Sequence, residues 1–245
     1  MTGLLGSEWL KIRTTRTVVW YLLGLVIIVG ISVAGQIANA PDSVLESEVG
    51  FIDTLEASGW ATLFALLFGI IGLTGEYRHE TITQTFLATP VRDRVVAAKV
   101  VVYAAAGLLL GVFALAVTLA MALPWLTAKQ VDPTLLDRDV GLFLLGLLAT
   151  AALWGALGLA FASVVPNQVG AIVSALIWLL IIETIVSGLL PDVAPYTPGG
   201  AARGLMRVSE GDDLLPMWAA AAVSVGYVVA LAVIGARLVV RRDVT

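Results

Sequence analysis

The side chains that could carry out chemistry in this chain are few and lie far apart. The 245 residues include no cysteine and one histidine, so thiolate nucleophiles and disulfides are excluded and a histidine-based metal cluster is disfavoured. The sequence has no G-x-x-x-x-G-K-[ST] motif, and therefore no backbone cradle for nucleotide phosphates. His79 lies in a charged segment, where it cannot act as the base for a nucleophile inside an apolar helix. We therefore expect neither an enzyme active site nor a bound cofactor in this chain.

Glu183 is the only ionisable residue well inside an apolar stretch of the sequence. A charge at the centre of a membrane-spanning helix costs about 2.5–3.5 kcal/mol, so this carboxyl group should face protein or a water-filled cavity. Ser187 lies one turn further along the helix and could form a hydrogen bond with it. Two interpretations stay open: a functional polar contact near one end of the helix, or a structural hydrogen bond to a neighbouring helix.

A second polar feature is the charged segment 75–99, which separates two apolar blocks. A short helix can begin there at Glu80 or Thr81 and must end before Pro90. Its apolar face and flanking bases would be formed by Ile82, Phe86, Thr89, Arg78, Arg92 and Arg94. Such a helix could dock into the groove of a partner. Alternatively, the segment is a solvated loop whose bases contact phospholipid headgroups.

The composition predicts the elements that position these residues. Hydrophobic residues make up 59% of the chain and charged residues only 13%, which is typical of a membrane protein. The apolar residues form six blocks, most of them about 20 residues long, the length that crosses a bilayer. The blocks cover 18–38, 60–74, 100–126, 140–161, 169–190 and 217–239. We therefore predict an all-α, polytopic membrane protein with six transmembrane helices in a single domain, 1–245.

The distribution of basic residues predicts the orientation of these helices. If the N-terminus is cytoplasmic, the inner segments hold Lys11, Arg13, Arg16, Arg78, Arg92, Arg94, Lys99, Arg237, Arg241 and Arg242. The outer segments then hold only Lys129, Arg138, Arg203 and Arg207, and the acidic first outer loop, 42–56, holds no base. Because basic residues favour the cytoplasmic side, we predict that both termini are cytoplasmic.

Residues 2–16 form a predicted helix ahead of the first span. Its apolar face would carry Leu5, Trp9 and Ile12, and its polar face Glu8, Lys11 and Thr15. A helix of this kind lies in the membrane interface, with its bases directed toward anionic lipid. It could serve as an anchor or take part in signalling motion.

Stripes of small residues along the spans permit close helix approach. They comprise Gly69, Gly72 and Gly75, then Gly107 and Gly111, and then Ala152, Ala156 and Ala160. These stripes could pack within one copy of the chain or form a seam between two copies.

Four stretches of the sequence carry a family resemblance. They are Glu76-Tyr77-Arg78 with Thr81-Ile82, Leu87, Pro90, Arg92 and Lys99; Glu8-Trp9-Leu10-Lys11 with Thr15-Arg16-Thr17; Pro166-Asn167-Gln168-Val169-Gly170-Ala171; and Leu189-Leu190-Pro191 with Tyr196 and Pro198-Gly199-Gly200-Ala201-Ala202. In this order they resemble the ABC-2 type transporter permease family over nearly the whole chain. One departure is Glu80, where many relatives carry a glycine.

The resemblance implies a coupling helix in segment 75–99 that sits in a cleft of an ATP-binding subunit. The residues it assigns to this coupling are Glu76, Arg78, Glu80, Thr81, Ile82, Phe86 and Arg92. It also implies two ATPase subunits, which bind ATP and Mg²⁺, and a second permease that is a copy of this chain or a related one. We expect no nucleic-acid partner. The expected function is export of a hydrophobic or amphipathic compound (drug, peptide or lipid-like) across a bacterial plasma membrane.

Two functions of other classes remain as alternatives. One is an ion-coupled secondary transporter that uses Glu183 and works without ATP. The other is a non-transporting membrane scaffold or sensor, which would bind a partner without substrate-dependent ATP turnover.

Overall fold

The computed structural model describes residues 2–15, 17–45, 47–81, 92–131, 137–207 and 214–241. Within these ranges the chain is a bundle of helices without strands, and six of the helices are long and apolar enough to cross a membrane. This confirms the prediction of an all-α, multi-pass membrane protein.

The six spans follow the apolar blocks of the sequence closely. They cover Thr17–Asn39, Trp60–Arg78, Arg92–Ala128, Arg138–Val164, Gln168–Leu189 and Met217–Arg241, and are called spans one to six. The second block was predicted to be short, 60–74, but its helix continues to Arg78. Span three begins several residues before its apolar block, at Arg92.

Shorter helices lie at both ends of the bundle. The N-terminal helix, Thr2–Thr14, defines what we call the α1 end. At the opposite or far end, the acidic segment after span one forms helices Asp42–Leu45 and Glu48–Glu56. A single turn, Ala57–Gly59, then leads directly into span two.

Spans two and four form the centre of the bundle. In their most apolar windows 56% and 50% of residues are buried, against 17% in spans one and five. Close approach depends on glycine: a Cβ atom at Gly158 would overlap the Leu66 carbonyl oxygen, and one at Gly69 would overlap the Gly155 carbonyl oxygen. Gly107 meets the Ala151 carbonyl oxygen of span four in the same way. These small residues therefore pack within one copy of the chain.

A short far-end helix, Pro198–Met206, follows span five and packs against spans four and six. It begins at Thr197, whose hydroxyl oxygen accepts a hydrogen bond from the Gly200 amide at 3.0 Å. Proline at its first position suits a helix start, because the N–H that proline lacks would have no partner there.

Candidate functional sites

A cluster of four charged side chains joins three helices at the α1 end. The Lys99 ammonium of span three donates hydrogen bonds to Glu8 Oε2 at 2.5 Å and to Glu76 Oε1 at 2.6 Å. The Lys11 ammonium bridges the same two carboxylates, at 2.7 Å from Glu8 Oε1 and 3.0 Å from Glu76 Oε1. We call Glu8, Lys11, Glu76 and Lys99 the ion cluster.

Helix geometry brings these residues together. Glu8 and Lys11 are three residues apart and so share a face of the N-terminal helix. Glu76 lies in the last turn of span two, and Lys99 lies two turns inside span three. The contact is completed by Ile12, which packs on an apolar group that includes Leu73 and Tyr103.

The ion cluster is buried and its formal charges cancel. Lys99 and Glu8 are each 2% exposed and Glu76 is 11% exposed, whereas Lys11 is 47% exposed. Charges this far from water are retained only when they are paired and hydrogen-bonded. The ion cluster therefore acts as one unit, in which the loss of Lys99 would leave two buried carboxylates short of a partner.

Electrostatics keep the two residues of the N-terminal helix charged at neutral pH. Burial acts to raise the pKa of Glu8, but the charges and hydrogen bonds of Lys99 and Lys11 outweigh it, so the pKa lies below its usual range. Burial likewise acts to lower the pKa of Lys11, and Glu8 and Glu76 outweigh it in the opposite direction. The stability that Glu8 contributes is present above its unfolded-state pKa and is lost as pH falls through the lowered folded-state pKa.

This arrangement corrects the expectation for the N-terminal helix. Glu8 and Lys11 were expected on a face directed toward lipid headgroups and water, but both contact the bundle. Lys99 was not among the predicted coupling residues. The position of Lys99 in the sequence could have indicated this contact. Lys99 directly precedes the third apolar block, and a lysine near a helix end there needs either water or an anionic partner.

Glu80 caps the end of span two, so the predicted helix start at Glu80 is wrong, while the alternative start at Thr81 adjoins residues outside those described. Its φ of 57° is left-handed. The Glu80 amide donates to the Tyr77 carbonyl at 3.2 Å, and the Thr81 amide donates to the Glu76 carbonyl at 3.0 Å. This pair of bonds is a Schellman cap, in which glycine is the usual left-handed residue.

The other predicted coupling residues are placed only in part. Arg78 is exposed, and its guanidinium Nη1 lies 3.5 Å from Oε1 of Gln168, the first residue of span five. Arg92 is the first residue of span three. Ile82 and Phe86 lie outside the described residues.

Glu183 occupies a second polar site, toward the far end. It is 8% exposed, and its Oε1 accepts hydrogen bonds from the Trp178 indole at 3.1 Å and from the Gly199 amide at 2.9 Å. Gly199 belongs to the first turn of helix Pro198–Met206, whose positive dipole end suits a carboxylate. A side chain at this glycine would overlap Glu183 Oε2.

A π-helical turn aligns Trp178 with Glu183. Residues Trp178–Ile182 are π-helical, and the Glu183 amide donates to the Trp178 carbonyl, an i to i+5 bond. Residues five apart point in different directions on an α-helix, but a π turn brings them to the same face. The apolar sequence of Trp178–Ile182 gave no indication of this π turn.

The predicted pairing of Glu183 with Ser187 is wrong. The Ser187 hydroxyl donates to the Thr184 carbonyl of its own helix at 2.9 Å and is exposed. A serine hydroxyl bonds readily to a carbonyl three or four residues earlier in a helix. The contact of Glu183 with another segment, the structural alternative, is present through Gly199.

No protein-family model matches the sequence, and no curated protein matches it. The two sites are therefore characterised by their own geometry: an ion cluster at the base of segment 75–99, and a buried carboxylate near the far end of span five.

Proposed function

We propose that this chain is the permease subunit of an ABC exporter of the ABC-2 type, located in the bacterial plasma membrane. It would carry a hydrophobic or amphipathic compound outward, while a separate subunit, present in two copies, binds Mg²⁺ and ATP and hydrolyses the nucleotide. A second permease, either a copy of this chain or a related one, would complete the path. The six spans and the sequence motifs support this proposal.

The ion cluster is the observation that carries the proposal. Glu76 and Lys99 stand at the two ends of segment 75–99, and the 2.6 Å contact joins them directly. Glu8 ties the N-terminal helix to the same point. A force applied to the segment would therefore act on span two, span three and the N-terminal helix together.

The helices that would transmit this force into the membrane are stiff. Spans have their backbone hydrogen bonds satisfied internally, and the Schellman cap at Glu80 fixes the direction in which the chain leaves span two. Closure of the ATPase subunits would then tilt spans two and three as a pair. ATP can drive such a change only if the ATP-bound partner binds one arrangement of the spans more tightly than the other.

Co-purification tests the proposal. The chain would be expressed with the gene neighbourhood of its source, solubilised in mild detergent, and isolated through a tag. We expect a subunit with a Walker motif to co-purify, and we expect Phe86→Ala combined with Arg92→Ala to abolish its recovery. The matched control is Arg138→Ala, which removes an exposed arginine at the far end and should leave recovery unchanged. Lipophilic compounds that are transported should stimulate ATP hydrolysis by the intact complex.

The two alternatives predict different outcomes. An ion-coupled transporter would work in vesicles without ATP and lose activity in Glu183→Gln. A scaffold or sensor would retain its partner but show no compound-dependent ATP hydrolysis. Absence of any Walker-motif subunit would contradict the proposed function.

A further inference from the structure

A cavity of about 450 Å³ lies between spans two, four, five and six. This size is within the range of about 300–1,000 Å³ that small-ligand sites occupy. The inner wall is formed by apolar side chains such as Leu66, Leu157 and Phe161, and the other side by Ile182 of span five and Leu231 of span six.

The cavity wall reaches the lipid-facing surface of the bundle. Ile177 and Trp178 line the cavity and are 44% and 41% exposed. A hydrocarbon chain could therefore enter from the bilayer, between spans five and six, without passing through water.

The polar groups of the wall are already satisfied within the chain. The Ser174 hydroxyl donates to the Gly170 carbonyl at 2.6 Å, and the Tyr227 hydroxyl donates to the Tyr196 carbonyl at 3.0 Å. The Trp178 indole donates to Glu183. Water is held in a cavity by free polar partners, so this wall favours an apolar occupant.

One acceptor, Glu183, lies directly behind the wall residue Trp178 without itself lining the cavity. Glu183 bonds to Trp178, a wall residue, and to Gly199, the neighbour of the wall residue Pro198. Both bonds use Oε1, and Oε2 receives no hydrogen bond within the described part of the chain. Arg203 is exposed and forms no ion pair with this carboxylate among the described residues, but its positive charge is close enough to attract the carboxylate.

We infer that the cavity binds a single-chain amphiphile with a cationic end, whose hydrocarbon chain fills the space between spans five and six and whose ammonium group meets Glu183 Oε2. An ammonium group supplies three donors and no acceptor, which suits an oxygen that lacks a donor. The inference rests on the proposed function in naming a class of cargo, but the binding itself requires no ATP.

Photolabelling tests this inference with two probes of equal length. Both are dodecyl chains with a terminal diazirine; one ends in a primary ammonium and the other in a sulfonate. The full-length protein, with any subunit that co-purifies, is placed in phosphatidylcholine nanodiscs, and labelled peptides are mapped by mass spectrometry. We expect the ammonium probe to label residues 174–182 and 227–231 in preference to the sulfonate. Glu183→Gln keeps an oxygen for Trp178 and Gly199, yet should lower ammonium labelling about tenfold.

Cavity-filling variants test the position of the chain. Ala175→Phe places a ring in the cavity and should suppress labelling, whereas Val173→Phe adds the same ring two residues away, where Val173 is 47% exposed. Leu231→Trp fills the cavity from span six and serves if Ala175→Phe does not fold. Three results would overturn the inference. The two probes could label equally, the cavity-filling variants could leave labelling unchanged, or these residues could crosslink to a second copy of the chain. Any of these results would leave the co-purification test untouched.

Discussion

Lys99 is the buried cation of the ion cluster. It is almost fully buried, and it bonds to carboxylates from two other helices. Removing one partner of a buried ion pair destabilises a protein far more than replacing both partners with apolar residues. The reason is that the remaining charge stays buried, where it is poorly solvated.

We expect Lys99→Met to destabilise the protein by about 3–5 kcal/mol, the usual cost of breaking a buried ion pair. Lys11→Met is the matched control: Lys11 contacts the same two carboxylates but is half exposed, so its loss should cost about 1 kcal/mol or less. The measurement is thermal unfolding of the detergent-purified variants. Equal loss in the two variants would show that Lys99 does not hold the ion cluster.

Two residue-level features could not be predicted from local sequence. Glu8 has the spacing of a polar face, and its burial depends on Lys99, which is 91 residues away. Glu80 was interpreted, together with Thr81, as a possible start of a helix, yet its left-handed φ closes the preceding helix. Both depend on contacts that a helical pattern does not encode.

At the scale of elements, the sequence predicted the spans well and their packing in part. Block length and hydropathy located all six spans, since a helix satisfies its own backbone hydrogen bonds in lipid. Gly69 and Gly107 indicated close approach, but whether to a span of the same copy or to a second copy stayed open. The π turn at Trp178–Ile182 gave no pattern, because an added backbone residue in an apolar run changes neither length nor composition appreciably.

The glycines of span two should differ in their tolerance of alanine. Gly69→Ala would push a methyl group into the Gly155 carbonyl oxygen of span four, and we expect a loss of about 1–3 kcal/mol. Gly75→Ala meets no atom within 4 Å and should be neutral or stabilising by up to about 1 kcal/mol, because alanine favours helix. Thermal unfolding of both variants makes the comparison. A stable Gly69→Ala protein would mean that spans two and four are further apart than described.

At the scale of the whole molecule, the predicted orientation in the membrane assigns each end of the bundle, with its polar site, to one side of the membrane. The predicted cytoplasmic side is the α1 end, where the ion cluster and the two described ends of segment 75–99 lie, and the far end carries the helix that contacts Glu183. The proposed function requires this orientation, because ATP is available to a coupling subunit only on the cytoplasmic side.

Cysteine accessibility can test the orientation without background, because the chain has no cysteine. In intact cells, a membrane-impermeant maleimide should modify Asp192→Cys at the far end. It should modify His79→Cys at the α1 end only after the cells are lysed. Both positions are exposed, so reagent access to the folded surface is matched. The reverse pattern of labelling would place segment 75–99 outside the cell and exclude an ATPase partner there.

The ion cluster also sets an order of events during synthesis. Glu8 leaves the ribosome long before Lys99 does, so the first helix has no Lys99 to dock against while spans one and two are being inserted. A carboxylate without this counter-charge must stay hydrated in the meantime. The N-terminal helix therefore stays undocked until the third span is made. Translation stalled before residue 99 would leave this helix undocked and accessible to quality-control proteases.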